Sequence, residues 1–217
     1  MNSDFDKLIG LLKNRDSVIS PLWSKAITEI NKEKDPSNIR SLHKYILVPL
    51  EANNKLVSNQ LDIIEKFITF SDCHKVLEMG GGFGNFCRLF SNRKKNVDYT
   101  ILDLPEMIKF SSKFLISNCI PCKFVKIENA EEILNKGFDL FVSNYCLSET
   151  PEEFRKLFLK VLLDGGTGKI ENVAILDTKH EMEGELVPLL SSIYNKVNVT
   201  FVKKHGDIYA FTGTNRK

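Results

Sequence analysis

From residue 71 onward, short apolar runs alternate with stretches whose apolar positions recur every three to four residues. The runs predict strands buried on both faces, and the recurring pattern predicts amphipathic helices. Lys75-Val76-Leu77-Glu78-Met79 reads as a first strand, and Gly84 to Phe90 opens a helix. Tyr99 to Leu104 reads as a second strand, followed by a helix that Pro105 starts and that runs to about Ser117. Lys123 to Ile127 is a third strand, Ala130 to Asn135 a short helix, and Phe138 to Ser143 a fourth strand. Thr150, Pro151 and Glu153 read as a helix start, with threonine at the cap, proline at the first position and glutamate at the third. Asn172 to Asp177 is a fifth strand, and Met182, Leu186, Leu189, Leu190 and Ile193 suit one more helix. Val199 to Val202 and Ile208 to Phe211, joined near Lys204-His205-Gly206-Asp207, read as a closing hairpin.

Strands alternating with helices predict an α/β fold with a mostly parallel sheet built from right-handed crossovers. The hairpin adds antiparallel pairing at one edge, for a seven-stranded Rossmann-like sheet. Such sheets bind ligands beyond the carboxyl ends of their strands.

Residues 1–70 carry a different pattern. Phe5, Leu8, Ile9 and Leu12 share one helical face, as do Trp23, Ala26, Ile27 and Ile30 after the Ser20-Pro21 start. Asp35-Pro36-Ser37-Asn38 is a turn, and Val57, Leu61, Ile64, Phe67 and Ile68 form a further apolar stripe. This predicts a helical N-terminal cap over 1–70, joined to an α/β domain over 71–217. The cap either covers an acceptor pocket, or only shields one sheet edge or mediates a homodimer contact.

Composition narrows the function classes. The chain has 217 residues, 42% of them hydrophobic and 27% charged, which describes a folded domain and not a disordered one. A net charge of +2 offers no basic face for nucleic acid, and Arg93-Lys94-Lys95 reads as a solvated loop. No apolar stretch is long enough to span a bilayer, and residues 1–20 lack a signal-peptide layout, so a cytoplasmic protein is expected. The five cysteines fit unpaired thiols. Cys119-Ile120-Pro121-Cys122 has redox spacing but precedes a strand, whereas a reactive pair opens a helix.

The most informative stretch runs from Val76 to Phe86, V-L-E-M-G-G-G-F-G-N-F, leaving a strand and entering a helix. Glycines there let the chain turn sharply and let a ligand approach the backbone. The dinucleotide fingerprint G-x-G-x-x-G does not fit, because Asn85 stands where its third glycine belongs. The loop reads instead as E-x-G-x-G-x-G through Glu78, Gly80, Gly82 and Gly84. Asp103 ends the next strand, where a carboxylate can accept hydrogen bonds from both hydroxyls of a ribose. Asp103 also suits a turn or helix cap before Pro105.

The E-x-G-x-G-x-G loop resembles motif I of the class I S-adenosylmethionine-dependent methyltransferases. Together with Y-T-I-L-D-L-P-E-M over 99–107 and F-D-L-F-V-S-N-Y-C-L-S-E over 138–149, it looks like a family of sugar O-methyltransferases. The family pattern is an E-x-G-G-G-[FY]-G loop, an acidic-Leu-Pro step and an N-x-x-S-x-x-E segment. The chain departs at the last, with Asn144 followed by Cys146-Leu147-Ser148-Glu149. The resemblance covers roughly residues 70 to 150.

What it implies is an S-adenosyl-L-methionine cofactor and a small-molecule acceptor, a sugar or glycan precursor. Glu78, Gly80, Gly82 and Gly84 would lie against the cofactor's amino-acid portion, with Asp103 and Leu104 at its ribose. Asn129 would meet its adenine edge, or else cap the short helix that follows, and Ser143 and Asn144 would lie on the far side. The absence of prolines after Asn144 disfavours N-methylation of bases or glutamine. Removing a proton from a hydroxyl calls for a general base. Glu149, just beyond the fourth strand, is the first candidate and His180 the second, with His43 weaker than either. Asp177 and Glu181 near His180 match no metal signature, so no metal site is assigned. Other readings are methylation of another small metabolite or a protein side chain, a catalytically silent methyltransferase-like binding domain and, most distantly, an NAD-dependent enzyme.

Overall fold

The computed structural model describes residues 3–14, 50–165, 169–177, 182–202 and 208–217. Seven strands form one sheet: β1 (Lys75–Met79), β2 (Asp98–Asp103), β3 (Lys123–Lys126), β4 (Phe138–Asn144), β5 (Ile170–Asp177), β6 (Tyr194–Val202) and β7 (Ile208–Arg216). Their order is β3-β2-β1-β4-β5-β7-β6. Strands β1 to β5 pair in parallel, and β7 runs antiparallel between β5 and β6. This is the mostly parallel sheet with a C-terminal hairpin that the alternation of patterns predicts.

The helices are α1 (Ser3–Lys13), α2 (Leu50–Glu65), α3 (Asn85–Arg93), α4 (Pro105–Ser117), α5 (Glu131–Leu134), α6 (Glu152–Lys160) and α7 (Glu183–Ile193). They cover both faces, which is why the parallel strands carry apolar residues without alternation. On one face Val57, Leu61 and Ile64 of α2, Phe86 and Phe90 of α3 and Phe114 of α4 pack on Val76, Leu140 and Leu176. On the other, Leu8 and Leu12 of α1 join Leu134, Phe158, Leu186 and Leu190 against Leu77, Phe141 and Val173. The two described helices from the first 70 residues therefore contribute to opposite core layers. Exposed ion pairs, Lys7 with Glu153 at 2.9 Å and Lys160 with Asp4 at 2.7 Å, fasten α1 to α6.

Two local expectations are corrected. Thr150 does not cap α6. Its hydroxyl donates to the Leu147 carbonyl at 2.7 Å, closing the 3-10 turn Leu147–Glu149, and the helix starts at Glu152 with Pro151 in the cap position. Strand β6 begins at Tyr194, five residues before the apolar run suggests, directly after α7. Tyr194 is buried: its hydroxyl donates to Ile170 O at 2.9 Å and its ring fills the space beside Gly213, where a Cβ would come within 2.6 Å. A third expectation, Asn129 as a helix cap, also finds no support, since α5 has no side-chain cap bond and Ala130 holds the cap position. The Ser20-Pro21 start, the Trp23 stripe, the turn at 35–38, His43, His180, Glu181 and the hairpin turn at 204–207 lie outside the described residues.

No helix among the described residues is long and apolar enough to cross a membrane.

Candidate cofactor and acceptor site

Strand order reverses at β1, which has β2 on one side and β4 on the other. The chain leaves β1 toward β2 and later returns to β4 on the other side, the topological switch point at which sheets of this kind form a ligand crevice beyond the carboxyl ends of their strands. The glycine-rich bend and the stretch from Ser143 to Glu149 border that crevice.

The bend depends on backbone shapes that only glycine adopts freely. Gly80, Gly82 and Gly84 have φ of 74°, 55° and 93°. Gly80 N–H donates to Leu102 O at 2.9 Å and Gly84 N–H to Gly81 O at 2.8 Å. What a side chain would meet differs along the bend. A Cβ on Gly80 would strike the Cys146 Cβ at 2.3 Å, one on Gly81 the Ile101 side chain at 2.8 Å, and one on Gly84 the Leu115 side chain at 2.9 Å. A Cβ on Gly82 would meet nothing within 4 Å. Three of the four positions are therefore packed from within, and Gly82 faces open space.

Asp103, at the end of β2, faces this position. Its Oδ2 accepts the Gly82 N–H at 3.1 Å and its Oδ1 accepts the Leu104 N–H at 2.7 Å. Each carboxylate oxygen keeps a lone pair for a further donor. Burial raises the Asp103 carboxyl to about 7, against the lowering effect of the two backbone bonds and with a further rise from Glu106. Leu104 is half-buried and leads into α4.

Glu78 lies beneath the bend. It is 1% exposed, and it accepts the Tyr99 hydroxyl at 2.9 Å. Burial pushes its carboxyl up to about 8, opposed by the Tyr99 hydrogen bond and reinforced by Asp103. At neutral pH Glu78 is mostly protonated, a polar support under the bend.

On the neighbouring strand, Ser143 of β4 pairs with Met79 in the β1–β4 register. It is 1% exposed and its hydroxyl has no hydrogen-bond partner among the described residues. Buried hydroxyls are rarely left so. Asn144 is half-buried and pairs with Gln60 of α2 through two bonds of 3.1 Å. Tyr145 adopts φ of 58°, a left-handed conformation costly for a non-glycine residue, and its N–H donates to Leu176 O at 2.8 Å.

Glu149 is half-buried in the turn Leu147–Glu149. The turn is anchored by Asp177 at the end of β5, a fully buried residue whose Oδ2 accepts the Ser148 N–H at 3.2 Å. Cys146 sits where these groups converge. Burial, then the carboxylates of Asp103, Glu149, Asp177 and Glu78, hold its thiol well above the usual range, so it stays neutral. Asn129 is exposed at the end of the 3-10 turn Ile127–Asn129, on the Asp103 flank, since Lys126 lies opposite Asp103 in the β2–β3 register.

The fold thus gathers Gly80, Gly82, Asp103, Leu104, Ser143, Asn144 and Glu149 at the carboxyl ends of β1, β2 and β4, with Asn129 at the far flank, whereas Glu78 is buried against Tyr99 and not open to a ligand. Sequence reading missed Gln60, Tyr145, Cys146 and the anchoring role of Asp177. Gln60 had a signal: it falls three residues after Val57 and four before Ile64, on the apolar face of its helix. No group of acids, histidines and cysteines that could hold a metal occurs among the described residues, and all five cysteines are free thiols.

No protein-family model matches the chain, and no curated protein matches its sequence. Solved structures do match its fold. It is similar to an O-methyltransferase family protein from Burkholderia thailandensis, with a TM-score of 0.59 at 12% identity over 76% of this chain and 57% of that one. A SAM-dependent methyltransferase from Aquifex aeolicus gives a TM-score of 0.58 at 19% identity over 83% of this chain and 98% of that one. PigF with SAH gives 0.57 at 13% identity over 90% of this chain and 70% of that one. The chain spans 57% of the Burkholderia thailandensis structure, and 58% and 54% of two further solved structures that match. These likenesses show the Rossmann-like methyltransferase fold.

Proposed function

We propose that the chain is an S-adenosylmethionine-dependent methyltransferase that O-methylates a small acceptor, a sugar or glycan precursor. The observation that carries the cofactor half is the pairing of open space at Gly82 with the Asp103 carboxylate bonded to its backbone. The residues fit the group. Gly80, Gly82 and Gly84 form a bend without side chains, the Asp103 oxygens keep lone pairs for two ribose hydroxyls, and the Ser143 hydroxyl awaits a polar partner. Leu104 and Asn129 lie on the nucleoside flank, with Asn129 toward the adenine edge. Asn144 borders the amino-acid end.

When bound, the cofactor supplies a methyl group made electrophilic by its sulfonium. The chain's own part is to hold donor and acceptor together and to take up the acceptor's proton. Glu149 is assigned as that base, with His180 the second candidate. The O-methyl half is supported by the Burkholderia thailandensis neighbour described as an O-methyltransferase family protein, and the sugar half by the resemblance over residues 70 to 150.

The test is transfer of a labelled methyl group from S-adenosylmethionine into nucleotide-sugar and glycan extracts. Label in a hydroxyl-bearing sugar product is expected. Label confined to protein or to amine products would overturn the acceptor assignment.

A further inference from the structure

Gln60 belongs to α2, 15 residues before β1, yet none of it reaches solvent. Burying a primary amide is unfavourable unless its donors and acceptor are met, and a leucine would suit the apolar stripe of Val57, Leu61 and Ile64 better. Its partners lie 84 residues away at the crevice. Gln60 Nε2 donates to Asn144 Oδ1 at 3.1 Å, and Asn144 Nδ2 donates to Gln60 Oε1 at 3.1 Å. An amide group offers two N–H donors and one carbonyl acceptor, and the pairing with Asn144 uses one of the donors and the acceptor.

The pair closes on a strained point. Tyr145, directly after Asn144, is held at φ of 58°. Asparagine, aspartate and glycine adopt that conformation readily and tyrosine does not. Backbone strain of this kind persists only where surrounding contacts fix it, and such contacts cluster at binding sites. Here the contacts are the Tyr145 N–H bond to Leu176 and the Gln60–Asn144 pair on the residue before it. A doubly bonded amide pair also fixes rotation more firmly than a single bond, because both groups must break together.

We propose that Gln60 is a positioning residue for the crevice. It holds the Asn144 amide in one orientation at the end of β4, directly before the strained Tyr145. Helix α2 thereby completes the site that β1 and β4 begin. The proposal rests on the reading of the crevice as an S-adenosylmethionine site, in which Asn144 meets the amino-acid end.

The experiment is calorimetric titration of S-adenosylhomocysteine into three forms of the full chain, with thermal unfolding of each recorded alongside. The forms are wild type, Gln60→Leu and Gln60→Met, the last close to glutamine in length but without its amide. Wild type is expected to bind and both variants to bind about tenfold more weakly, the loss of roughly one net hydrogen bond, while still unfolding cooperatively. A packing role alone would spare Gln60→Met, which refills the space. If Gln60→Leu does not unfold cooperatively, Gln60→Met decides alone. Wild-type affinity in Gln60→Met, or weaker binding only together with loss of cooperative unfolding in both variants, would overturn the positioning role. No binding by wild type would overturn the reading of the crevice itself.

Discussion

The Asp103 carboxylate holds the Gly82 backbone, accepting its N–H at 3.1 Å across 21 residues of sequence. The bond joins the ends of two adjacent parallel strands at the position where the bend faces open space. One side chain thus both shapes the bend and stands ready for a ligand. Replacing it with alanine removes both functions. Asp103→Ala is expected to weaken S-adenosylhomocysteine binding by about 1–3 kcal/mol, from lost charge-assisted hydrogen bonds. Calorimetry checks this, and wild-type affinity in the variant would contradict the ribose role.

Binding should also depend on pH through Asp103. Its carboxyl lies at about 7, raised chiefly by burial. Accepting hydroxyl bonds favours the charged form. Affinity for S-adenosylhomocysteine is therefore expected to rise as pH increases through 7 and to fall below it. Binding at pH 7 should release protons, seen as a dependence of the calorimetric heat on the buffer's ionisation enthalpy. A pH-independent affinity between 6 and 8 would contradict this.

Two of the three left-handed glycines at the bend should tolerate substitution differently. Gly80→Ala drives a Cβ to within 2.3 Å of the Cys146 Cβ, whereas Gly82→Ala meets no atom within 4 Å. Both incur backbone strain of about 1–2 kcal/mol. Gly80→Ala is expected to lower the unfolding temperature clearly more. Gly82→Ala should stay folded while losing affinity for the cofactor, because its methyl projects into the space reserved for it. Thermal unfolding paired with calorimetry separates the two.

Glu78 gives a test in the ligand-free chain. Its carboxyl rises from an ordinary value of 4.5 to about 8 on folding, chiefly through burial. Between those values the folded state holds a proton that the unfolded state has lost, so stability falls as pH rises across this window. Glu78→Gln keeps an acceptor for the Tyr99 hydroxyl and cannot ionise. The variant is expected to match wild type near pH 5 and to unfold at a higher temperature than wild type at pH 9. Parallel curves across that range would contradict the buried, protonated state.

For the chemical step, Glu149→Gln is expected to keep S-adenosylhomocysteine affinity within about twofold and to lower methyl transfer by about a hundredfold or more, the usual scale for losing a general base. Unchanged transfer would remove Glu149 from the mechanism and leave His180.

Much of the fold is legible because its signals are local. Lys75–Met79 and Pro105–Ser117 emerge with the boundaries that the apolar run and the N-terminal proline predict. The bend and Asp103 are legible because glycine spacing and an acid at a strand end are sequence features. What escapes depends on contacts distant in sequence. Thr150 has a cap's chemistry, but its hydroxyl is drawn to Leu147 by the preceding turn. Tyr194 becomes strand because Gly213 leaves room for its ring. Gln60 looks like a polar interruption of an apolar stripe until Asn144, 84 residues away, is brought against it.

The most direct measurement of the central claim is a crystal structure grown with S-adenosylhomocysteine. The account predicts both ribose hydroxyls on the Asp103 carboxylate, with the ligand's amino-acid end against the backbone at Gly82. A ligand bound elsewhere, or a bend left empty with Asp103 bonded only to Gly82 and Leu104, would contradict it.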